Sequence, residues 1–306
     1  MNAREWALVA FTILGQMSVG AFLMLGVVHL LAGRTKGTGE DDGLLDRALL
    51  AVGGVLIVGM GASLLHLGSP MGAYLAVANL GSSWLSREIG FGVGYAVLGA
   101  LFAMLRWRRL GSFGLRRVVA ILAGMAGIGL VYSMGQVYML PAQPSWNSVA
   151  TPVGFFATSI LLGCLALGSV TVINGWIEKG RDTSGAERRG EPLRAALKWV
   201  AMLSIVMLGV EFVVLPVYLA SLAVGPTAAV SSVGMLTGEY GNLFWARLVL
   251  VFVGAGVFGA LLYRSTSEPG RERTTAVLAV SAFALVLVSE VLGRFLFYAT
   301  HVKIGL

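Results

Sequence analysis

His66 closes one long apolar stretch of this protein, and Glu88 opens the next. Neither has an opposite charge three or four residues away that a helix would set beside it. Histidine titrates nearest neutrality and can take a proton from a weakly acidic hydroxyl, and a carboxylate beside it can carry that proton on to water. A histidine and a glutamate at the edge of an apolar layer are therefore the tools for moving protons between a lipid-dissolved donor and the aqueous phase. Glu211, Arg247, Glu290 and Arg294 are ionisable residues inside other apolar stretches, and Gln16, Gln136 and Tyr138 add uncharged hydrogen-bonding groups.

The elements that must position these residues follow from composition. Of 306 residues, 57% are hydrophobic and only 12% charged. Soluble domains carry about 25% charged residues, so this protein lacks the polar shell of a soluble one. It reads as an all-α integral membrane protein, a single domain over 1–306. A helix crosses the hydrocarbon with about 20 apolar residues. Eight stretches qualify, at approximately 6–32, 46–67, 89–107, 116–140, 151–176, 196–223, 242–264 and 274–299. Arg4 with no small-residue cleavage pattern behind it makes the first stretch a retained helix. The lone Cys164 excludes an intrachain disulfide and a cysteine-held iron–sulfur cluster.

Lysine and arginine crowd the loops around 34–47, 106–117, 179–198 and 264–273, whereas the opposite side has Arg4, Arg87 and Lys303. This bias places the crowded side in the cytoplasm and both termini on the extracytoplasmic side. Trp6, Trp84, Trp146 and Tyr240 fall at the outer edge, as an interfacial belt requires. No cytoplasmic loop is long enough to fold as a catalytic domain. The outer segments 68–88, 141–150 and 224–241 carry little charge and many small and aromatic residues, which suits docking to another protein or covering a pocket.

With this topology His66, Glu88, Arg247, Glu290 and Arg294 all lie in the outer half, and Glu211 nearer the middle. A charge within the bilayer is costly and so faces the bundle interior. Glu290 and Arg294, spaced i, i+4, are expected to pair on one helix, and Glu211 and Arg247 between helices. His66 and Glu88 are expected to do chemistry. Oxidising a quinol releases two electrons and two protons; histidine matches the hydroxyl, the carboxylate passes the proton outward, and Gln16 and Gln136 orient the ring. The same glutamines also serve as interhelical hydrogen-bonding groups. The run Gly254-Ala-Gly256-Val-Phe-Gly259 matches a dinucleotide-binding spacing, but mid-span it means close helix packing. His29, His66 and His301 are too few for two stacked bis-histidine haems. No metal-binding cluster or serine triad is visible.

Five segments together resemble the membrane anchor subunit of respiratory dimethyl sulfoxide reductases, within the polysulfide-reductase-type anchor superfamily. They are AFTILGQMSVGAF (10–22), LLHLGSP (64–70), SSWLSREI (82–89), YMLPAQPSWN followed by TPVGFFATSILLG (138–163), and GRFLFYATHVKIGL (293–306). The resemblance implies an anchor in the prokaryotic cytoplasmic membrane with no independent catalytic centre. It would oxidise menaquinol for a four-cluster iron–sulfur subunit and a molybdopterin catalytic subunit docked on the extracytoplasmic face. No haem or metal is expected within the anchor itself. His66 and Glu88 fall on the family's acting positions, and Gln16, Ser69, Arg87, Gln136 and Tyr138 are expected around the ring, between spans one and four. Two other readings stay open: a secondary transporter or proton-conducting protein, and an anchor without its own quinone site.

Overall fold

The computed structural model describes residues 3–32, 42–66, 79–179, 186–266 and 271–304, all in helices and their connections. The helices are α1 (Ala3–Ala32), α2 (Asp42–His66), α3 (Trp84–Trp107), α4 (Phe113–Val137), α5 (Ala150–Lys179), α6 (Ala186–Ala223), α7 (Thr227–Gly234), α8 (Gly241–Val251), α9 (Gly259–Ser265) and α10 (Glu272–Ala299). Eight spans of membrane-crossing length and apolarity result. The seventh comprises α8 and α9 joined by the widened π-helical turn Phe252–Phe258. The expected outer loop 224–241 is itself largely helical, holding α7 and a second wide turn, Met235–Glu239.

α1 and α5 are the central helices. α1 packs on α2, α4, α5 and α10; α5 packs on α1, α4, α6 and α10. They cross at Gly20 and Gly163, where a Cβ on either residue would overlap the backbone of the other helix. Gln16, Val19, Leu161, Leu162 and Cys164 are fully buried around this crossing. The widened turn is also a packing site, as its glycines led one to expect: a Cβ on Gly254 would lie 2.8 Å from Val286, and one on Gly256 3.0 Å from Leu208.

Local signals end the helices. Ser83 and Ser112 cap α3 and α4, their hydroxyls accepting from the backbone N–H of Ser86 and Leu115. The tight α3–α4 connection needs a left-handed residue, which Gly111 provides at φ 71°. At this end of the bundle Arg106 donates to Asp46 at 2.6 Å, tying α3 to α2.

The opposite end carries both termini. Trp6 stacks on Phe295, and the Ile304 N–H donates to the Ala142 carbonyl. The α4–α5 connection, expected to be a docking surface or a cover, packs against the end of α10. Trp146 stacks between Phe297 and His301 and donates through Nε1 to the Phe297 carbonyl at 2.8 Å; Gln143 and Ser145 are buried beneath it.

Candidate functional site

Three polar residues of α10 stand at i, i+4 and i+8: Glu290, Arg294 and Tyr298. They form one stripe along the helix, about 12 Å long at 1.5 Å per residue, and each reaches a different neighbour. Glu290 Oε2 accepts from the Thr158 hydroxyl of α5 at 2.6 Å. Arg294 Nη2 donates to Gln16 Oε1 of α1 at 3.0 Å, and its guanidinium lies 3.7 Å from the centre of the Phe155 ring. The Tyr298 hydroxyl meets the Tyr138 hydroxyl, just past the end of α4, at 2.7 Å. All three side chains are buried.

Glu290 and Arg294, which spacing alone would pair, are thus each turned to another helix. An intrahelical pair would leave Thr158 and Gln16 without these partners inside the bundle; the cross-helix arrangement gives each of four groups one hydrogen bond. The expected Glu211–Arg247 pair does form, with Arg247 Nη2 3.4 Å from Glu211 Oε2 and 4.0 Å from Glu290 Oε1. Arg247 therefore stands between two carboxylates from α6 and α10. Two arginines and two glutamates close a formally neutral set, the condition under which charge is tolerated in a bundle interior.

A cavity of about 160 Å³ lies against this set, between α5, α6, α8 and α10. Glu211, Arg247, Glu290 and Arg294 reach it from one side, and Phe155, Leu215 and Phe244 supply apolar wall. Thr151 and Thr300 line it toward the end of the bundle that carries the termini. None of the described residues expected around a ring lines it.

Those residues fall as follows. Gln16 is fully buried and bound to Arg294; Tyr138 is buried and bound to Tyr298. Gln136 is half-buried in the last turn of α4. Arg87 donates to the carbonyls of Leu80 (2.9 Å) and Gly81 (2.6 Å) and lies 4.3 Å from the centre of Trp84. Its guanidinium holds the turn before α3. Glu88 is 7% exposed, one turn into α3, with no hydrogen-bond or ion-pair partner among the described residues. Glu88 lies at the same end of the bundle as the Tyr138–Tyr298 hydroxyl pair. His66 is the last residue of α2, at the same end of the bundle; its side chain, like Ser69 as a whole, lies outside the described residues. Among the described residues no group of histidine, cysteine and carboxylate side chains could hold a metal ion. Thr158, Phe155 and Tyr298 were missed in the sequence; the i, i+4, i+8 spacing on α10 was the available signal for Tyr298.

Comparison with known proteins now bears on this geometry. Residues 1–300 match the model of the family described as DMSO reductase anchor subunit (DmsC). The protein belongs to that family. It is 30% identical to the C subunit of the anaerobic dimethyl sulfoxide reductase of Escherichia coli (strain K12), over 99% of its own length and 96% of that subunit. It is 27% identical to the anaerobic dimethyl sulfoxide reductase subunit YnfH of the same organism and to the C subunit from Haemophilus influenzae, each over 99% of its own length and 96% of the relative. Among solved structures, the bd oxidase from Geobacillus thermodenitrificans superposes with a TM-score of 0.67, covering 97% of this protein and 85% of that one, at 13% identity. That likeness shows the fold alone. Family membership makes the protein a multi-pass membrane anchor subunit of a reductase complex and implies partner subunits.

Proposed function

We propose that this anchor oxidises menaquinol and passes the electrons to an iron–sulfur partner subunit, which feeds a molybdopterin catalytic subunit. The observation that carries the reading is Glu88: a buried carboxyl without a described partner, at the same end of the bundle as His66 and the Tyr138–Tyr298 hydroxyls. A carboxyl is costly to bury unless something it binds or exchanges offsets the desolvation. His66 accepts a hydrogen bond and then a proton from the quinol hydroxyl, and Glu88 relays that proton to water. Gln16, Gln136 and Tyr138 stand behind the pocket; Gln16 and Tyr138 act by holding Arg294 and Tyr298 in place. Arg87 acts by fixing the turn from which Glu88 enters α3. Ser69, three residues past His66, borders the ring.

The charge bias of the loops supports a topology with both termini extracytoplasmic, and partner subunits docked on that face. Protons released and consumed on one side would make turnover electrically silent. The test is His66→Arg in the assembled complex. Quinol-driven turnover is expected to be lost while turnover with an artificial electron donor persists. Normal quinol-driven turnover in that variant would remove His66 from the mechanism and favour an anchor without its own quinone site.

A further inference from the structure

Arg247 Nε, Glu290 Oε1 and Arg294 Nε are buried, have no hydrogen-bond partner among the described residues, and belong to side chains that line the cavity between α5, α6, α8 and α10. Glu290 is 3% and Arg294 6% exposed, so these groups form part of a built interior. Glu211 and Glu290 flank the same guanidinium nitrogen of Arg247, at 3.4 and 4.0 Å. The longer separation is too great for a direct hydrogen bond. Arg294 directs its charge elsewhere, to Gln16 and the Phe155 ring. Arg247 is the arginine placed between the two carboxylates. α6 packs on α5, on α9 and on the turn Phe252–Phe258 rather than on α8, which leaves space between α6 and α8. It extends to Thr151 and Thr300 at the end of the bundle that carries the termini. A cavity of that size has room for several waters, and the polar part of its lining, from Glu211, Arg247, Thr151 and Thr300, can partner them.

We infer that this cavity is a hydrated proton-holding chamber, in which Glu290 and Glu211, bridged by Arg247, take up protons released on the Glu88 side and return them to water at the end of the bundle bearing the termini. The inference rests on the quinol-oxidising reading. Each quinol gives two electrons to the partner's clusters and two protons to the anchor, and no bond other than O–H is broken or made. The Tyr138–Tyr298 hydroxyl pair lies at the same end of the bundle as Glu88, and Tyr298 begins the α10 stripe that runs through Arg294 to Glu290, two helical turns away. Arginine does not give up its proton; the carboxylates do the exchanging, and Arg247 fixes their positions. Thr158 donates to Glu290 Oε2, and Oε1 lies on the Arg247 side, 4.0 Å from Nη2.

The test uses the whole complex carrying Glu290→Gln or Glu211→Gln. Each variant is expected to lower quinol-driven turnover by about tenfold or more, the scale on which a positioned acid–base group acts, and to leave artificial-donor turnover unchanged. Infrared difference spectra of the native complex, taken on quinol addition, are expected to show a protonated-carboxyl band that disappears in both variants. Quinol-driven turnover within about twofold of native in both assembled variants, or a band that persists in both, overturns the inference. If Glu290→Gln fails to assemble, Glu211→Gln carries the test, because its carboxylate is the more accessible of the two. If native spectra show no carboxyl band at all, the inference falls without any variant. Should His66→Arg abolish quinol turnover while both glutamine variants remain normal, the chamber fails and the quinol reading stands. Should His66→Arg keep quinol turnover, the reading beneath the inference has failed.

Discussion

Placing one methyl group at Gly163 tests how the two central helices are held. Helix propensity alone favours alanine over glycine by about 1 kcal/mol in a helix interior. The Gly163 Cβ, however, would meet Gly20 and the Ala21 nitrogen, which are backbone atoms that no rotamer change can move. α1 and α5 must separate by about 1 Å to admit it, and a gap of about 0.5–1 Å forfeits roughly a quarter to a half of each dispersion contact along the seam. Val19, Leu161, Leu162 and Cys164 are fully buried there. Between membrane helices this packing, not removal from water, holds the seam, so losing roughly ten contacts of about 0.1 kcal/mol or less at each of several such side chains costs roughly 2–4 kcal/mol. The clash outweighs propensity, and Gly163→Ala should destabilise by a net of about 1–3 kcal/mol. Gly54, exposed on α2 with nothing within 4 Å of a built Cβ, is the control; Gly54→Ala should be neutral or stabilising by up to about 1 kcal/mol. Denaturant titration of the purified anchor in one detergent, followed by helical circular dichroism, measures both. If Gly163→Ala unfolds at the same denaturant concentration as Gly54→Ala, the α1–α5 crossing is not so close and the ranking of central helices fails.

Two further outcomes follow from the end of the bundle that carries the termini. Trp146→Phe keeps the ring stack on Phe297 and His301 but removes the Nε1 donor to the Phe297 carbonyl. It should cost about 1 kcal/mol in the same titration, and more than about 3 kcal/mol would mean that the ring's shape, not its hydrogen bond, holds the connection down. A reporter active only in the cytoplasm, fused after Leu306, should stay silent if the charged loops face the cytoplasm. Activity would reverse the topology and with it the side on which protons emerge.

The spans were legible because apolar length and charge scarcity are properties of each segment taken alone. α1, α4 and α10 match their expected spans closely, and the Glu211–Arg247 pair was legible because those two ions had few alternatives inside the hydrocarbon. Which helices touch was not legible. Gly20 and Gly163 are two of 42 glycines, and nothing in their local sequence marks them as the pair at which backbones meet. The Glu290–Arg294 spacing suggested a local pair because i, i+4 geometry is available to any helix. It could not show that Thr158 and Gln16 would stand opposite and compete. The wide turn Phe252–Phe258 was also hidden: its glycines announce close packing, and close packing is found, but a glycine run does not reveal that the ladder opens by a residue.

α10 occupies a position that only the assembled bundle reveals. It is the helix that contacts α1, α5 and α8 together, and its stripe reaches α5 at Glu290, α1 at Arg294 and Tyr138 at Tyr298. The glycine crossing of α1 and α5 is short-range and apolar and can hold the two sides of the bundle together without conveying charge between them. The α10 stripe is polar and spans the same boundary, from the Tyr138–Tyr298 hydroxyl pair to the chamber at Glu211. Because the three residues share one helix, a shift in its register moves all of them together. Two chemically distinct regions, the Tyr138–Tyr298 hydroxyl pair and a charged cavity beside α6, are thereby joined through one rigid element.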